Sequence, residues 1–312
     1  MKRYLTIDGG TTNTRLVLVE DRVPIDRVKI PAGAGKTDKE TMSVLLHDAI
    51  DAMLARHALH IGDITAILAS GMITSEKGLC EITHTPAPAG AAELHQNMHT
   101  VDLPAAADIP ITFISGVKMA GSTPETADIM RGEETEILGL SAQMSAATEN
   151  TVCVLPGSHS KIIRLHNGQI TDFSTMLTGE LLAAVSGNTI LRDAVDISLI
   201  ETDAEWLCRG YTYARTRGIN EALFKVRVLK NILGADDLAR YSFFMGVILQ
   251  GEIDRILEAH ADCIIIGGRS AFRIPMTQLL ERYTDASIIP VNDEQADFAA
   301  PLGMIMVYEY SE

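Results

Sequence analysis

Between residues 5 and 19 the chain sets an apolar run, then a turn opening on Asp8 and continuing Gly9-Gly-Thr-Thr-Asn-Thr14, then the apolar Leu16-Val-Leu-Val19. Two such runs read as the strands of a β-hairpin, with glycines accepting the positive φ of a tight turn. Thr11, Thr12, Asn13 and Thr14 supply more donors than a turn needs. Exposed N–H groups at such a tip form a concavity for anions, phosphate above all. Asp8 at its mouth would repel phosphate unless a cation stood between, and Mg²⁺ is held by one or two carboxylates together with substrate phosphates. The residues point to Mg-nucleotide chemistry, held without a Gly-x-x-x-x-Gly-Lys-Ser/Thr loop, which the chain lacks. An ordinary hairpin would use the same glycines, and a counterpart later in the chain tips the balance.

That counterpart begins at Thr151-Val-Cys-Val-Leu155, turns at Pro156-Gly-Ser-His159 and returns as Ser160-Lys-Ile-Ile-Arg-Leu165. Asn167-Gly168 signals a further hairpin. Late in the chain the apolar Cys263-Ile-Ile-Ile266 runs into Gly267-Gly-Arg-Ser270, where backbone can approach a flat base without side chains intervening. Amphipathic spacing predicts a helix over 39–57, a buried strand over 64–69, a helix over 132–144, helices through about 260 including 238–257, and a last helix over 294–308 that Pro301 would kink or interrupt. At 312 residues the chain exceeds what one core of about 250–300 residues holds, so two domains are expected. We place them at 1–114 and 115–312, with the final helix able to pack back on the first. Two facing turns could then clamp the phosphates of one nucleotide in an interdomain cleft, and closure would exclude water.

The net charge of −15 argues against nucleic acid or an anionic membrane as partner, and an anionic substrate would need a local basic cluster. Four cysteines without a Cys-x-x-Cys pair read as free thiols of a reducing compartment. No signal peptide is expected, since the N-terminus enters a strand within a few residues, and no apolar run approaches the ~20 residues of a membrane span. A cytoplasmic protein is expected, alone or as a homodimer.

In chain order, Asp8-Gly-Gly-Thr-Thr12, Pro156-Gly-Ser-His159 and Ile266-Gly-Gly-Arg-Ser270 resemble the sugar kinase, hsp70 and actin superfamily. Met130-Arg-Gly-Glu-Glu-Thr135, Pro156-Gly-Ser-His-Ser-Lys161 and Met176-Leu-Thr-Gly-Glu-Leu181 resemble hallmark segments of the 2-dehydro-3-deoxygalactonokinases. Ala69-Ser-Gly-Met72 and Pro88-Ala-Gly90 extend the resemblance over most of the chain, least clearly at about 195–240. It implies an α/β fold of two ribonuclease H-like (actin-like ATPase) domains. It also implies ATP- and Mg²⁺-dependent phosphorylation of 2-dehydro-3-deoxy-D-galactonate at its terminal 6-hydroxyl, in galactonate breakdown. Another small-acid kinase of the superfamily, or a nucleotide-sensing protein without transfer, are the alternatives.

Roles follow on this resemblance. Asp8 would anchor the metal through water. Gly9, Gly10, Thr11, Thr12 and Asn13 would serve the phosphates from one side, and Gly157, Ser158 and His159 from the other. Gly267, Gly268 and Arg269 would lie against adenosine. Glu133 and Glu134 open a helix after Gly132, where carboxylates also serve simply to complement the helix dipole. Related sugar kinases place their catalytic carboxylate there, and Glu133 is the preferred base, with Glu134 open. The sugar acid would be bordered by Gly71, Met72, Lys77, Gly90, Arg131, Thr178 and Glu180. Arg131, Lys77 and Arg15 are candidates for its carboxylate, arginine for its bidentate geometry. Lys161 reads equally as a solvated strand lysine.

Overall fold

The computed structural model describes residues 1–144, 149–268 and 270–311, with only the backbone of Ser270. The chain forms two compact units, Met1–Ser145 with Gly168–Asp172 and Glu294–Glu312, and Ala146–Asn167 with Phe173–Asp293. The first unit thus runs past the boundary expected at 114, and three pieces of chain compose it. The reason lies in Gly139, on the helix that follows that boundary. It lies so close to residues 299–303 that an added Cβ would come within 1.8 Å of the Ala299 carbonyl.

In chain order the first unit holds β1 (Arg3–Gly9), β2 (Thr14–Glu20), β3 (Val23–Ile30), α1 (Lys39–Arg56), β4 (Ala66–Gly71), β5 (Thr85–Pro86), α2 (Ala91–Gln96), β6 (His99–Val101), β7 (Ile111–Phe113), β8 (Val117–Ala120), β9 (Ala127–Met130) and α3 (Glu133–Gln143). Among the described residues its main sheet has six strands in the order β3-β2-β1-β4-β7-β6, and β5-β8-β9 make a smaller one. β1 is antiparallel to β2 and parallel to β4, with Asp8 opposite Ser70 and Gly9 opposite Gly71. Tyr4, Leu5, Thr6 and Ile7 are all buried, as expected of a strand covered on both faces. Leu5, Ile7, Leu16 and Leu18 pack with Met42, Leu46, Ile50 and Met53 of α1. Each such side chain contributes about 1.5–3 kcal/mol relative to leaving it exposed. Asp38 caps α1 by accepting from the Thr41 N–H at 2.9 Å. Edge strand β3 carries Asp26, Arg27 and Lys29, charges that discourage pairing with another chain.

The chain continues through β10 (Asn150–Leu155), β11 (Ser160–His166), β12 (Gln169–Met176), α4 (Thr178–Asn188), α5 (Ala204–Arg217), α6 (Ile219–Asn231), α7 (Asp237–Ile248), α8 (Gln250–Leu257), β13 (Cys263–Ile266), α9 (Ser270–Tyr283), β14 (Ser287–Pro290) and α10 (Asp293–Tyr308). The sheet order is β12-β11-β10-β13-β14, with β10 parallel to β13 and β13 to β14. Val152, Val154, Ile264 and Ile266 meet α5, α7 and α9 through Leu207, Phe244, Met276 and Leu279. The helix expected over 238–257 is two, divided at Leu249. α10 instead runs through Pro301 without interruption. The proline forfeits one intrahelical bond, since its nitrogen has no hydrogen to donate, and it is buried.

α10 belongs to the first unit almost entirely. At its end Glu309 accepts from Lys2 Nζ, the Tyr4 hydroxyl and Arg22. Burial pushes the Glu309 carboxyl up, but these donors more than offset it and bring the group down to about 2. Among the described residues no helix is long and apolar enough to cross a membrane. All four cysteines are free.

Candidate active site

The carboxyl end of β1 leads into the first glycine turn. Gly10 N–H donates to the Asn13 carbonyl at 2.9 Å, closing it. The carbonyls of Gly10 and Thr11 accept from Ala34 and Gly35, so residues 33–35 buttress the turn. Thr11 and Thr12 are exposed, and their amides and hydroxyls have no hydrogen-bond partner among the described residues. Donors on a rigid, buttressed turn suit a phosphate group.

Asp8 lies beside this turn, its Oδ2 accepting from Arg15 at 2.9 Å. Gly71, at the end of the neighbouring parallel strand, has φ +85, and a Cβ there would fall 2.6 Å from the Gly9 carbonyl and 3.2 Å from Asp8 Oδ1. Gly132, φ +110, precedes α3 and stands close to the same strand end, an added Cβ falling 3.1 Å from Gly71 Cα. Both positions require glycine for conformation and for contact. Asp8, Gly9, Gly71 and the glutamates after Gly132 are therefore brought together by backbone-to-backbone approach. A small cavity of about 50 Å³ beside them is lined by Asp8, Arg15, Glu136 and Asp297 among others. Glu136 and Asp297 were not picked out from sequence, because only the fold brings α3 and α10 to β1.

Glu133 and Glu134 sit in contrasting surroundings. Glu133 is partly exposed and accepts from the Arg131 N–H at 2.9 Å. Glu134 is fully buried, and both of its oxygens accept from the Gly132 N–H, at 2.9 and 2.8 Å. Burial, then the charge of Glu133, push the Glu134 carboxyl up to about 8. Above about pH 4.5 the unfolded chain releases this proton while the folded chain keeps it to about 8. The stability from this group is thus complete below about 4.5 and is lost as pH rises to about 8. Glu134→Gln is expected to flatten this dependence, whose slope reaches about 1.4 kcal/mol per pH unit. Urea unfolding of both proteins at several pH values between 5 and 8 measures it, and parallel pH profiles would refute the burial argument.

Arg131 behaves differently from a substrate ligand. Its NH1 donates to the Thr74 carbonyl at 2.6 Å and hydroxyl at 2.5 Å, and its NH2 to the Ile82 carbonyl at 3.0 Å. The half-buried guanidinium pins the loop between β4 and β5 to the start of α3. Lys77 is exposed on that loop, and Met72 opens its first turn, partly buried. Gly90 is buried, with its N–H on Glu93 and the hairpin turn at Gly168–Gln169 against it. No hydrogen bond or close contact joins it to Asp8 or Glu133 among the described residues.

The second unit gathers its expected residues at the carboxyl ends of β10 and β13. Gly157 accepts from the Gly179 N–H at 3.0 Å, Ser158 from the Glu180 N–H at 3.4 Å, and His159 Nε2 lies 2.8 Å from Glu180 Oε1. A Cβ on Gly268 would meet the Pro156 carbonyl at 2.7 Å, which fixes the β13 glycines against the same turn. Gly267 N–H donates to Val154. Arg273 of α9, unnoticed in the sequence, donates to the Gly268 carbonyl at 2.7 Å. Arg269 lies outside the described residues. Thr178, expected beside the sugar, is buried with its hydroxyl donating to Glu252. Lys161 is buried too, with Nζ on the Thr175 hydroxyl, and is no solvated strand lysine. A cavity of about 700 Å³ bounded by Cys208, Arg209, Tyr213 and Phe243 is lined by none of the expected residues.

A provisionally assigned 2-dehydro-3-deoxygalactonokinase of Rhizobium meliloti (strain 1021) is 31% identical over 193 residues, 62% of this chain but only 59% of that protein. The 2-dehydro-3-deoxygalactonokinase of Escherichia coli (strain K12) is 24% identical over 294 residues, 91% of this chain and 89% of its own. A crystal structure from Sinorhizobium meliloti, provisionally assigned the same activity, shares the fold with a TM-score of 0.77 at 23% identity, covering 97% of each chain. The (R)-2-hydroxyglutaryl-CoA dehydratase component A of Acidaminococcus fermentans shares it more distantly, TM-score 0.54 at 15% identity over 98% and 97% of the two chains, so fold alone does not fix the reaction. The model of the 2-keto-3-deoxy-galactonokinase family matches residues 8–306, and the chain belongs to that family.

Proposed function

We propose that this chain transfers the γ-phosphoryl group of ATP to the 6-hydroxyl of 2-dehydro-3-deoxy-D-galactonate, giving the 6-phosphate and ADP. Family membership supports the reaction class and nucleotide use. The observation that supports the residue assignment is the close approach of Gly71 to Asp8 on one side and to Gly132, which precedes the α3 glutamates, on the other.

Glu133, partly exposed, is the group able to reach a substrate hydroxyl, while Glu134 is sealed beneath it. As the hydroxyl oxygen bonds to the γ-phosphorus and the bond to the bridging oxygen of ADP breaks, the hydroxyl proton passes to the Glu133 carboxylate. Two adjacent carboxyls held in different surroundings divide the roles this way. Thr11, Thr12 and Asn13 in the first unit, and Gly157, Ser158 and His159 in the second, offer donors for the phosphates. Gly267 and Gly268 leave room for adenosine. Arg15 or Lys77 meets the substrate carboxylate.

Asp8 lines a small cavity, and its carboxylate is the kind of oxygen ligand that a hard cation takes together with substrate phosphates, with Arg15 balancing part of its charge. Asp8 would hold Mg²⁺, which when bound neutralises charge on the transferring phosphoryl group. Asp8→Asn is expected to raise the Mg²⁺ concentration for half-maximal rate about tenfold, and an unchanged Mg²⁺ titration would remove Asp8 from this role.

A coupled ADP-release assay over 2-keto-3-deoxy sugar acids tests the reaction. Acceptor-dependent release is expected to be greatest with 2-dehydro-3-deoxy-D-galactonate. Tight ADP binding with no acceptor-dependent release would instead mark a nucleotide-binding protein without transfer.

A further inference from the structure

We propose that Glu252 is a positioning residue for nucleotide binding, a buried carboxyl that locks the turn at 156–160 to the first turn of α4. The inference rests on the reading that this turn holds phosphate. Glu252 is only 1% exposed, on the face of α8 that also buries Ile253 and Ile256. Packing alone gives no reason for a carboxyl there, because burying one costs stability and an apolar side chain of similar volume would serve the core as well or better.

What it touches gives the reason. The Thr178 hydroxyl, at the start of α4, donates to Glu252 Oε1 at 2.5 Å. The Ser160 hydroxyl, at the start of β11, stands near enough to the same carboxyl to lower its proton affinity. Ser160 Oγ in turn accepts the Gly157 N–H at 3.2 Å. One buried group thus lies against a hydroxyl at the start of α4 and another where the turn runs into β11. The start of α4 is joined to the turn again, backbone to backbone, through Gly179 to Gly157 and Glu180 to Ser158. The fit leaves no slack, since a Cβ on Gly179 would fall 2.6 Å from the Gly157 carbonyl. Burial raises the proton affinity of Glu252, and the two hydroxyls only partly oppose it. Its Oε2 has no well-formed hydrogen bond among the described residues. Glu252 therefore works as a hydrogen-bond hub rather than as a charge facing the ligand, and the bond from Thr178 together with the backbone bonds from α4 holds the turn in one geometry.

A hub and a charge predict different variants. Gln keeps an oxygen for the two hydroxyls, whereas Ala removes it. Thr178→Val removes one hydroxyl with little change of volume, and Thr178→Ser restores it. ADP binding to the full chain, measured by titration calorimetry, is expected to weaken about tenfold in Thr178→Val and Glu252→Ala, and to return to within about threefold of wild type in Thr178→Ser and Glu252→Gln. In steady-state kinetics the KM for ATP should rise about tenfold in Thr178→Val while the KM for the acceptor stays within about twofold. Should Glu252→Ala fail to fold, the Thr178 pair decides the matter. ADP binding by Thr178→Val as tight as by the wild type would overturn the proposal, and so would a wild-type chain that does not bind ADP. If no sugar acid is phosphorylated while the ADP series behaves as expected, the sugar-acid reading fails and this inference stands.

Discussion

Glu133→Gln is expected to lower kcat for phosphoryl transfer at least about 100-fold while leaving ADP affinity near that of the wild type, the range found when a positioned general base is removed. Gln occupies nearly the same volume and can still accept from the Arg131 N–H, so the start of α3 should keep its shape. What it cannot do is take a proton. Glu134→Gln serves as the comparison. Its side chain is buried, raised to about 8 and therefore largely protonated at neutral pH, so a neutral amide changes little in the charge it presents. Its kcat should fall much less. A large loss in Glu134→Gln with a small one in Glu133→Gln would move the base by one residue and require α3 to turn before reaction.

The largest effect on stability is expected where α3 crosses α10. A Cβ on Gly303 would fall 1.8 Å from the Thr135 carbonyl, and one on Gly139 1.8 Å from the Ala299 carbonyl. Backbone faces backbone on both sides, so no side chain can swing away and the helices must separate. Overpacking in cores costs about 1–3 kcal/mol and sometimes more. Gly303→Val belongs at or above the top of that range and should lower the melting transition of the first unit by roughly 6–12 °C. Gly187→Ala in α4, where an added Cβ meets nothing within 4 Å, is the control and should not lower it. Because Thr135 lies two residues after Glu133 in the first turn of α3, the crossing also sets where the glutamates stand. Gly303→Val protein that remains folded should lose activity beyond its loss of stability. Equal melting points for Gly303→Val and wild type would refute the close crossing.

The hairpins, the parallel strands ending in glycine and the pairing of Gly132 with two glutamates were legible in the sequence because each is local. Their signals lie within a few residues, as apolar runs broken by Gly, Thr and Asn. The assignment of α3 to the first unit was not legible, since nothing near Gly139 announces that residues some 160 positions later lie against it. Arg131 illustrates the limit within a motif. Its position beside the glutamates was visible, but the carbonyls of Thr74 and Ile82 that occupy it come from a distant loop. Glu252 left a faint trace, one acid three residues after Leu249 and four before Ile256, among positions spaced for burial. Asp297 left none, because its value near Asp8 comes only from how α10 lies on β1.

The three-piece composition of the first unit bears on how the protein is made. When residue 145 has emerged from the ribosome, β1, β4 and α3 exist, but the groove along α3 that Gly303 fills and the partners of Lys2, Tyr4 and Arg22 on Glu309 do not. About 150 further residues must follow, which at 5–20 residues per second takes roughly 7–30 s. Nearly all of the second unit is synthesised within that interval and can settle first. The half of the molecule that carries Glu133 and Glu134 is thus the last to close, and until then its apolar faces are available to chaperones and to other nascent chains.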